Sequence, residues 1–327
     1  MNSERGMEFD LFSYARRGPG CRDHLSPAEV AQIARTVHRA PEVMVKVLNR
    51  GATDLAAVRR HLDYIGRKGE VELETDDGQS LVGPDAGDGL PEDWNLELEQ
   101  CGSRTDLPAE PGKSGPRLVH KLVFSMPAGT PPDQVLAATR NFMREEFALQ
   151  HRYAMALHTD ELHPHVHVVL KAVSEQGKRL HIRKATLREW REGFARHLRA
   201  VGLEANATPR QVRGEVTPRK SDGIYRASRR GESTHLREHV QAVARMLAAG
   251  HMPIEPGKVK LVQTRQEAQR AWNVVSDLLI QQGQADLAAR ARRFAARMPP
   301  PVTEREWAAE RLLERMREAR VHEPMTR

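Results

Sequence analysis

Four histidines fall within ten positions of the chain, and three of them occupy alternate positions. Successive side chains of a β-strand point to opposite faces of its sheet. A strand over 163–173 therefore places His163, His165 and His167 on one face and its valines on the other. A predicted turn between two strands brings His158, the last residue of the preceding strand, close to the same face.

Such a cluster supports the binding of a divalent cation. Imidazole rings that converge repel one another when protonated, whereas a cation accepts their neutral nitrogens as ligands. Asp160 is predicted to accept the second ring N–H of a ligand histidine, which would fix its tautomer. Three nitrogen ligands with open positions are typical of a catalytic ion, which would polarise the oxygens of a phosphodiester.

A nucleophile for such a reaction would come from one of four tyrosines. Tyr153 has the opposite strand parity to His158, so it is predicted to be a core residue. Tyr14 and Tyr225 lie in arginine-flanked segments without a clear pattern. Tyr64 lies beside the apolar stripe of a predicted helix.

Tyr64 also has basic neighbours near it in the sequence, which are Arg60, His61, Arg67 and Lys68. Nearby cations stabilise a phenolate and therefore favour a tyrosine nucleophile. Spacing alone also fits an amphipathic tyrosine at the rim of a core. The nucleophile is therefore a hypothesis that needs a further observation.

The elements that must position these residues alternate between strands and helices. The order β-α-β-α-β-β-β-α predicts an α+β domain, with an antiparallel sheet of about five strands and helices on one face. From about residue 232 the pattern is only helical. A capping box of Ser26 and Glu29, with Pro27 in the first turn, predicts an earlier helix. The predicted strands span 43–48, 118–126, 152–158, 163–173 and 179–182.

Charge is distributed unevenly along the chain. Residues 70–110 hold thirteen acidic side chains and one arginine, so the rest of a chain with a net charge of +7 is strongly basic. This distribution suits a polyanion partner, and solvated arginine-rich helices explain it as well. We predict an N-terminal helical extension over 1–40, a main domain over 41–215 with an acidic insert or loop at 70–116, and a basic linker with a helical region over 216–327.

The composition argues against a membrane or disulfide-bonded protein. No apolar run approaches the roughly 18 residues that a membrane span requires, and the N-terminus lacks the apolar segment of a signal peptide. Cys21 and Cys101 are too few and too far apart for a disulfide framework or a zinc ribbon. We therefore expect a protein of the reducing cytoplasm.

Three stretches resemble motifs of one protein family. Arg60–Gly69 (RHLDYIGRKG) resembles the first motif of the P-type mobilisation relaxases of the HUH endonuclease superfamily, particularly their T-DNA border nickase branch. His158–Val169 is similar to their third motif, His-x-Asp…His-x-His, and Val123–Thr130 to the strand and turn between the two motifs. The resemblance covers about residues 43–214, with the motifs in the family's order.

The resemblance implies a palm-like HUH fold and a defined chemistry. Tyr64 would be the nucleophile, Asp160 a supporting or proton-handling group, and His163 an extra histidine whose ligation stays open. The enzyme would be a site- and strand-specific endonuclease and strand transferase that nicks DNA at a plasmid transfer origin and forms a 5′-phosphotyrosyl intermediate. The ligands of a Mg²⁺ or Mn²⁺ ion would be His158, His165 and His167.

The resemblance also implies partners for conjugative transfer or mobilisation. They are single-stranded and supercoiled DNA at the transfer origin, an accessory origin-binding protein, a coupling protein and a type IV secretion system. The protein would act in the bacterial cytoplasm, and it would also be a candidate for translocation into a recipient cell together with the DNA.

The residues predicted to contact DNA form two groups. The mixed basic and aromatic composition of 208–230, which includes Tyr225, suits single-strand binding, and a basic linker is the alternative. The first group lies beside Tyr64 and the second lies in this basic segment. The predicted DNA contacts are Arg60, Arg67 and Lys68 in the first group, and Arg210, Arg213, Arg219 and Lys220 in the second.

Three other functions stay open. A rolling-circle replication initiator would use the same chemistry, although the stretch around Tyr64 is more similar to relaxases. A metal-binding DNA-binding protein without nuclease activity would keep its activity after Tyr64→Phe. A plain metallo-phosphoesterase would turn over without a covalent DNA adduct.

Overall fold

The chain forms two compact units. One unit is His38–Ala207, and the other consists of the described residues within Met1–Val37 and Thr208–Arg327. The predicted domain boundaries near residues 40 and 215 stay predictions. The structure, a computed structural model, describes residues 10–15, 23–48, 51–102, 116–215 and 234–321.

The unit His38–Ala207 contains a six-stranded sheet in the order β1-β4-β6-β5-β2-β3, and every paired strand is antiparallel. This confirms the predicted α+β class. The predicted strand at 179–182 is wrong, because only one isolated bridge joins Val173 to Arg179 there. The strands are β1 Met44–Val47, β2 Leu73–Thr75, β3 Ser80–Leu81, β4 Val119–Ser125, β5 Tyr153–His158 and β6 His165–Lys171.

The described helices are distributed between the two units. A single 3₁₀ turn, Arg67–Gly69, follows α3. In chain order the helices are α1 Leu11–Ala15, α2 Pro27–Val37, α3 Leu55–Ile65, α4 Leu90–Asp93, α5 Leu96–Gly102, α6 Pro132–Phe147, α7 Lys184–Ala200, α8 Arg210–Arg213, α9 Thr234–Ala248, α10 Pro256–Gln281, α11 Ala285–Ala296 and α12 Glu304–Val321.

The sheet is covered on both faces, so the prediction of helices on one face is wrong. On one face, Phe142 of α6 and Phe194 of α7 pack against strand residues that include Phe124. On the other face, apolar residues of α3, α4 and α5 pack against Ala154, Ala156 and Val169 of β5 and β6. Both alternating sets of these strands contain apolar residues, which is why both faces need a covering layer.

The described part of the predicted acidic loop is ordered by packing and ion pairs. It contains β2, β3, α4 and α5, and Trp94 is 1% exposed in the core against α3. Arg152 lies 2.7 Å from carboxylate oxygens of both Asp76 and Asp93, and Arg140 forms two hydrogen bonds with Glu74. The prediction was an insert or a loop, and the loop alternative is wrong for the described residues, because these elements are too short to show periodicity and their partners are distant in sequence.

The other unit is helical, as predicted for the C-terminal region. Trp272 of α10 is fully buried in its core, and its indole N–H donates to the Val212 carbonyl at 2.9 Å. The predicted capping box is confirmed, because the Ser26 amide donates to the Glu29 carboxylate at 2.9 Å and the Glu29 amide to the Ser26 hydroxyl at 3.3 Å. None of the described helices has both the length and the apolarity needed to cross a membrane.

Candidate active site

Three histidines converge on one face of the sheet where β5 and β6 pair. His165 lies opposite His158 in the ladder, and His167 lies opposite Ala156. The ring centres of His158 and His167 are 4.7 Å apart, and the other two ring pairs are 5.1 and 5.3 Å apart. The antiparallel register therefore produces the predicted cluster from two strand segments.

His163 lies outside this cluster, so its predicted place on the shared face is wrong. Strand β6 begins at His165, and His163 is exposed in the preceding loop. The carbonyl of Pro164 accepts the Met126 amide at 3.2 Å, but proline has no N–H of its own to extend the ladder. His163 instead contributes its backbone carbonyl to the site.

The hydrogen bonds of the rings determine which nitrogens keep a lone pair. A carbonyl oxygen only accepts, so His158 Nε2–H donates to the Ile65 carbonyl at 2.7 Å and leaves Nδ1 as the acceptor. His165 Nδ1–H donates in the same way to the His163 carbonyl at 2.9 Å and leaves Nε2. His167 Nδ1 is buried and has no hydrogen-bond partner among the described residues.

These three rings fit a divalent cation. One candidate ligand nitrogen from each ring lies within 4.8 Å of the other two. Burial lowers the pKa of His167 to about 3, with further contributions from His158 and His165, and burial is also the largest cause of the lowered pKa of His158. His158 and His167 are therefore neutral near pH 7, which is the form that binds metal.

Tyr64 lies over the cluster on the last turn of α3. The helix starts at Asp54, whose carboxylate caps the Ala57 amide at 2.8 Å, and its apolar side packs on the sheet. The Tyr64 ring is 47% exposed, and its centre is 5.8 Å from that of His167 and 6.4 Å from that of His158. The structure thus brings the predicted nucleophile and the predicted ligands together.

The turn after α3 returns Arg67 to the site. Arg67, Lys68 and Gly69 have φ values of 49°, 56° and 92°, and this left-handed path is rare for residues with a Cβ. A Cβ on Gly69 would lie 2.0 Å from the backbone carbon of Gly83, whose amide donates to the Gly69 carbonyl at 3.2 Å. The acidic segment therefore holds the turn that carries Arg67.

Arg67 makes three contacts in the site. Its guanidinium donates to Asp160 Oδ2 at 2.5 Å and to His158 Nδ1 at 3.3 Å. Its guanidinium carbon lies 5.1 Å from the centre of the Tyr64 ring. The predicted contact between Asp160 and a ligand histidine is therefore wrong for His158 and His165: Arg67 takes the carboxylate, and backbone carbonyls accept the ring N–H groups of these two histidines.

His61 belongs to the site, although sequence reasoning treated it only as a basic neighbour of Tyr64. Its ring stacks on Tyr64 at 5.8 Å with an interplanar angle of 12°, and its centre is 6.4 Å from that of His167. Burial, followed by the charge of Lys121, lowers the pKa of His61 to about 4, so the ring is neutral near pH 7. The available signal was its spacing three residues before Tyr64 on one helix.

The remaining predicted DNA contacts have different surroundings. Arg60 and Lys68 are exposed close to Tyr64 in the sequence, and Arg210 is exposed on α8. Arg213 is half-buried and bonds to Glu215 at 2.6 Å and to the Thr208 carbonyl at 3.1 Å. The predicted contacts that lie outside the described residues are Arg219 and Lys220.

Of the other tyrosines considered as nucleophiles, Tyr14 and Tyr153 are buried. Tyr14 is 1% exposed, and its hydroxyl donates to Glu29 at 2.7 Å in the core of the helical unit. Tyr153 is also 1% exposed, and it packs on the face opposite the histidines, as predicted. Tyr225 lies outside the described residues. Among the tyrosines that the structure describes, Tyr64 is therefore the accessible one.

A tyrosine over three converging histidines is the arrangement that the motifs predicted for a relaxase. Residues 92–203 match a relaxase nuclease domain. The family model is described as "Relaxase: MobA/VirD2-like, nuclease domain". This match confirms the resemblance and supports an endonuclease. The matched residues include the three histidines and Asp160 but begin after Tyr64, so the nucleophile depends on the geometry and on the first motif.

Curated relatives show a similarity to the same group of proteins. The T-DNA border endonucleases VirD2 of Rhizobium rhizogenes and of Agrobacterium fabrum are each 27% identical over 135 residues, which is 39% of this chain and 30% of each relative. VirD2 of Rhizobium radiobacter is 28% identical over 138 residues, or 39% of this chain and 31% of the relative. The match thus spans less than a third of these relatives' length.

Proposed function

We propose that the protein is a relaxase that nicks one DNA strand at a plasmid transfer origin and remains attached to it through Tyr64. The observation that carries this proposal is the position of the exposed Tyr64 ring, 5.8 Å from His167 and over the three-histidine cluster. A phenol beside a cation site is the pairing that phosphoryl transfer to a tyrosine requires.

The proposed metal ligands are His158 Nδ1, His165 Nε2 and a ring nitrogen of His167. The buried, unpartnered Nδ1 of His167 and the two carbonyl-fixed tautomers support this set. A bound Mg²⁺ or Mn²⁺ would polarise the non-bridging oxygens of the scissile phosphate and offset charge on the leaving oxygen. The choice between these ions stays part of the proposal.

The chain's own residues supply the remaining chemistry. The Tyr64 hydroxyl oxygen forms a bond to phosphorus, and the bond from phosphorus to the 3′-oxygen breaks. The phenol proton would pass to Asp160, the carboxylate bound by the Arg67 guanidinium whose carbon lies 5.1 Å from the Tyr64 ring centre, and the 3′-oxygen takes up a proton from solvent. The products are a 5′-phosphotyrosyl linkage and a free 3′-hydroxyl. The reverse reaction rejoins the strand, since one phosphoester bond replaces another.

The proposal extends to the partners of the reaction. Single-stranded or supercoiled DNA is the substrate. The residues proposed to contact its phosphates are Arg60, Arg67, Lys68 and Arg210, together with the other predicted DNA contacts, Arg213, Arg219 and Lys220. An accessory origin-binding protein, a coupling protein and a type IV secretion system would act with the enzyme in the cytoplasm and in translocation. The similarity to border endonucleases supports this context.

A covalent-adduct assay tests the proposal. Full-length protein, Tyr64→Phe and His163→Gln would be incubated with Mn²⁺ and a tiled set of single-stranded oligonucleotides from the region flanking the gene, and resolved on a denaturing gel. We expect a protease-sensitive, slowly migrating DNA band with wild type and with His163→Gln, and none with Tyr64→Phe.

Other outcomes of this assay would contradict specific parts of the proposal. An adduct with Tyr64→Phe would show that another tyrosine is the nucleophile. Strand cleavage without an adduct would indicate a plain metallo-phosphoesterase. If the wild type binds Mn²⁺ and DNA but forms no adduct on any oligonucleotide, the nuclease proposal fails.

A further inference from the structure

Arg67 and a bound metal ion would compete for the same nitrogen, Nδ1 of His158. The Nε2–H of His158 is committed to the Ile65 carbonyl at 2.7 Å, so Nδ1 carries the ring's available lone pair. The guanidinium of Arg67 donates to that Nδ1 at 3.3 Å. One lone pair cannot serve a hydrogen-bond donor and a cation together, so these two interactions of His158 exclude each other.

Arg67 is held where it can make either contact. The turn over Arg67–Gly69 is fixed by the close approach of Gly69 to Gly83, and Asp160 Oδ2 binds the guanidinium at 2.5 Å. The Arg67 side chain is one-third exposed and the Asp160 side chain about half exposed, so both can swing toward solvent. A released guanidinium would therefore remain tethered beside Tyr64.

A phosphate group competes for Arg67 more effectively than a neutral imidazole does. Guanidinium and phosphate form charge-assisted, often bidentate hydrogen bonds, which are about twice as strong as bonds between neutral groups. A strand that enters beside Tyr64 brings such a group within reach of an arginine whose guanidinium carbon lies 5.1 Å from the ring.

We propose that Arg67 couples metal binding to DNA binding by exchanging His158 Nδ1 for a phosphate of the incoming strand. Without a strand, Arg67 opposes the ion at His158. With a strand, Arg67 moves to the phosphate and frees the ligand nitrogen. This inference rests on the proposed function, because it needs an ion at the three histidines. It assigns Asp160 a positioning role as the tether of Arg67.

Mn²⁺ titration of chelator-treated, full-length protein tests the first half of the proposal. The variants are Arg67→Gln, Arg67→Lys and, as a charge control, Lys68→Gln. Arg67→Lys keeps the positive charge but lacks the planar guanidinium that spans Asp160 and His158. We expect both Arg67 variants to bind Mn²⁺ at least about fivefold more tightly than wild type, since a charged donor is removed from the ligand nitrogen.

The outcomes separate competition from simple repulsion. If Arg67→Lys equals wild type and Arg67→Gln equals Lys68→Gln, only charge matters and the inference is overturned. If wild type binds Mn²⁺ and neither Arg67 variant differs from it, the inference alone fails. If neither wild type nor Arg67→Lys binds Mn²⁺, both the proposed metal site and this inference fail. Binding of Mn²⁺ by both Arg67 variants, but not by wild type, would support the inference strongly.

The second half is tested by adding DNA. In a Tyr64→Phe background, which prevents cleavage, saturating single-stranded oligonucleotide should raise the Mn²⁺ affinity severalfold more when Arg67 is present than in Arg67→Lys. Reciprocally, Mn²⁺ should raise the DNA affinity by the same factor, because coupling between two ligands is mutual. An equal effect of DNA in the two proteins would rule out exchange by Arg67.

Discussion

Histidines lie at both ends of the three central strands β4, β5 and β6, and the two ends use them differently. At one end, the rings of His158, His165 and His167 lie within 4.7–5.3 Å of one another. At the other end, His120 bonds to the Leu180 carbonyl at 3.3 Å and His151 to the Lys171 carbonyl at 2.9 Å. The first end brings candidate ligand nitrogens together, whereas at the second end each ring bonds to a separate backbone carbonyl.

Electrostatics does not distinguish these two ends. Burial is the first cause of the lowered pKa of His167, to about 3, and of His120, to about 4. Both ends therefore contain neutral imidazoles near pH 7. What differs is convergence, which the register of β5 and β6 creates at one end only. Burial and a lowered pKa are therefore shared by both ends, and only the convergence of several ring nitrogens makes the first end a candidate metal site.

Replacing one histidine at each end gives the largest expected contrast. We predict that His165→Gln weakens Mn²⁺ binding by about 100-fold or more and abolishes the DNA adduct, since even partners outside the ligand set are worth roughly 10–100-fold. His151→Gln should leave Mn²⁺ affinity unchanged and lower only the stability. Calorimetric Mn²⁺ titration with melting curves on both variants checks this. A similar loss of Mn²⁺ affinity in His151→Gln would show that the two ends do not differ in metal binding.

Two glycines in turns near the two ends give a smaller contrast. Gly69 has φ 92° and a Cβ there would meet the Gly83 backbone at 2.0 Å, whereas Gly177 has φ 77° and nothing within 4 Å. Gly69→Ala should cost roughly 3 kcal/mol of unfolding free energy and slow adduct formation, because the turn that carries Arg67 must shift. Gly177→Ala should cost about 1 kcal/mol from backbone strain alone.

Urea unfolding and the rate of adduct formation measure these two effects. Equal stability losses would show that the contact between Gly69 and Gly83 is not restrictive. A normal adduct rate in a folded Gly69→Ala protein would separate the turn from the chemistry.

The last expected effect concerns pH at the end that contains His120, where the histidine rings do not converge. The pKa of His120 is lowered from 6.5 to about 4 by burial, so between these pH values the unfolded chain binds more protons than the folded one. The contribution of His120 to stability is therefore fully present above pH 6.5 and is lost as pH falls toward 4, by about 1.4 kcal/mol per pH unit for a fully neutral buried ring.

His120→Gln removes this contribution and should flatten the pH dependence of the unfolding free energy across that range. Urea titrations at pH 4.5, 5.5 and 7.0, in the presence of chelator, measure it. An unchanged slope would mean that the His120 ring is able to protonate in the folded protein.

Short-range patterns in the sequence predicted the parts of this protein that depend on local geometry. The alternation of His165 and His167 on a strand follows from the two-residue period of a β-strand, and the opposite parity of Tyr153 follows in the same way. The capping box of Ser26 and Glu29 likewise depends on a spacing of three residues, and the structure confirms it. The motif around Tyr64 and the order of the motifs indicated the family.

The position of His163 in the loop before β6 depended on where the strand begins, which the alternation alone did not reveal. The same pattern of alternate histidines is compatible with a strand that starts at 163 or at 165. Pairing with β4 and β5 decides between them, because the ladder starts at His165. The sequence also did not predict the ordered structure of the acidic segment around Trp94, since its core contacts and ion pairs involve elements that are distant in sequence.

The sequence by itself determined which residue types could do the chemistry and which strand face would carry them, because side-chain periodicity is a property of a few consecutive residues. Only the tertiary structure decided that Asp160 binds Arg67, across 93 positions, and that His158 donates to Ile65, again across 93 positions. It also decided that His61 is buried and neutral. These contacts depend on how α3 and its following turn pack on the sheet. Packing between segments that are distant in sequence produces no periodic pattern of residues, so the sequence alone does not predict it.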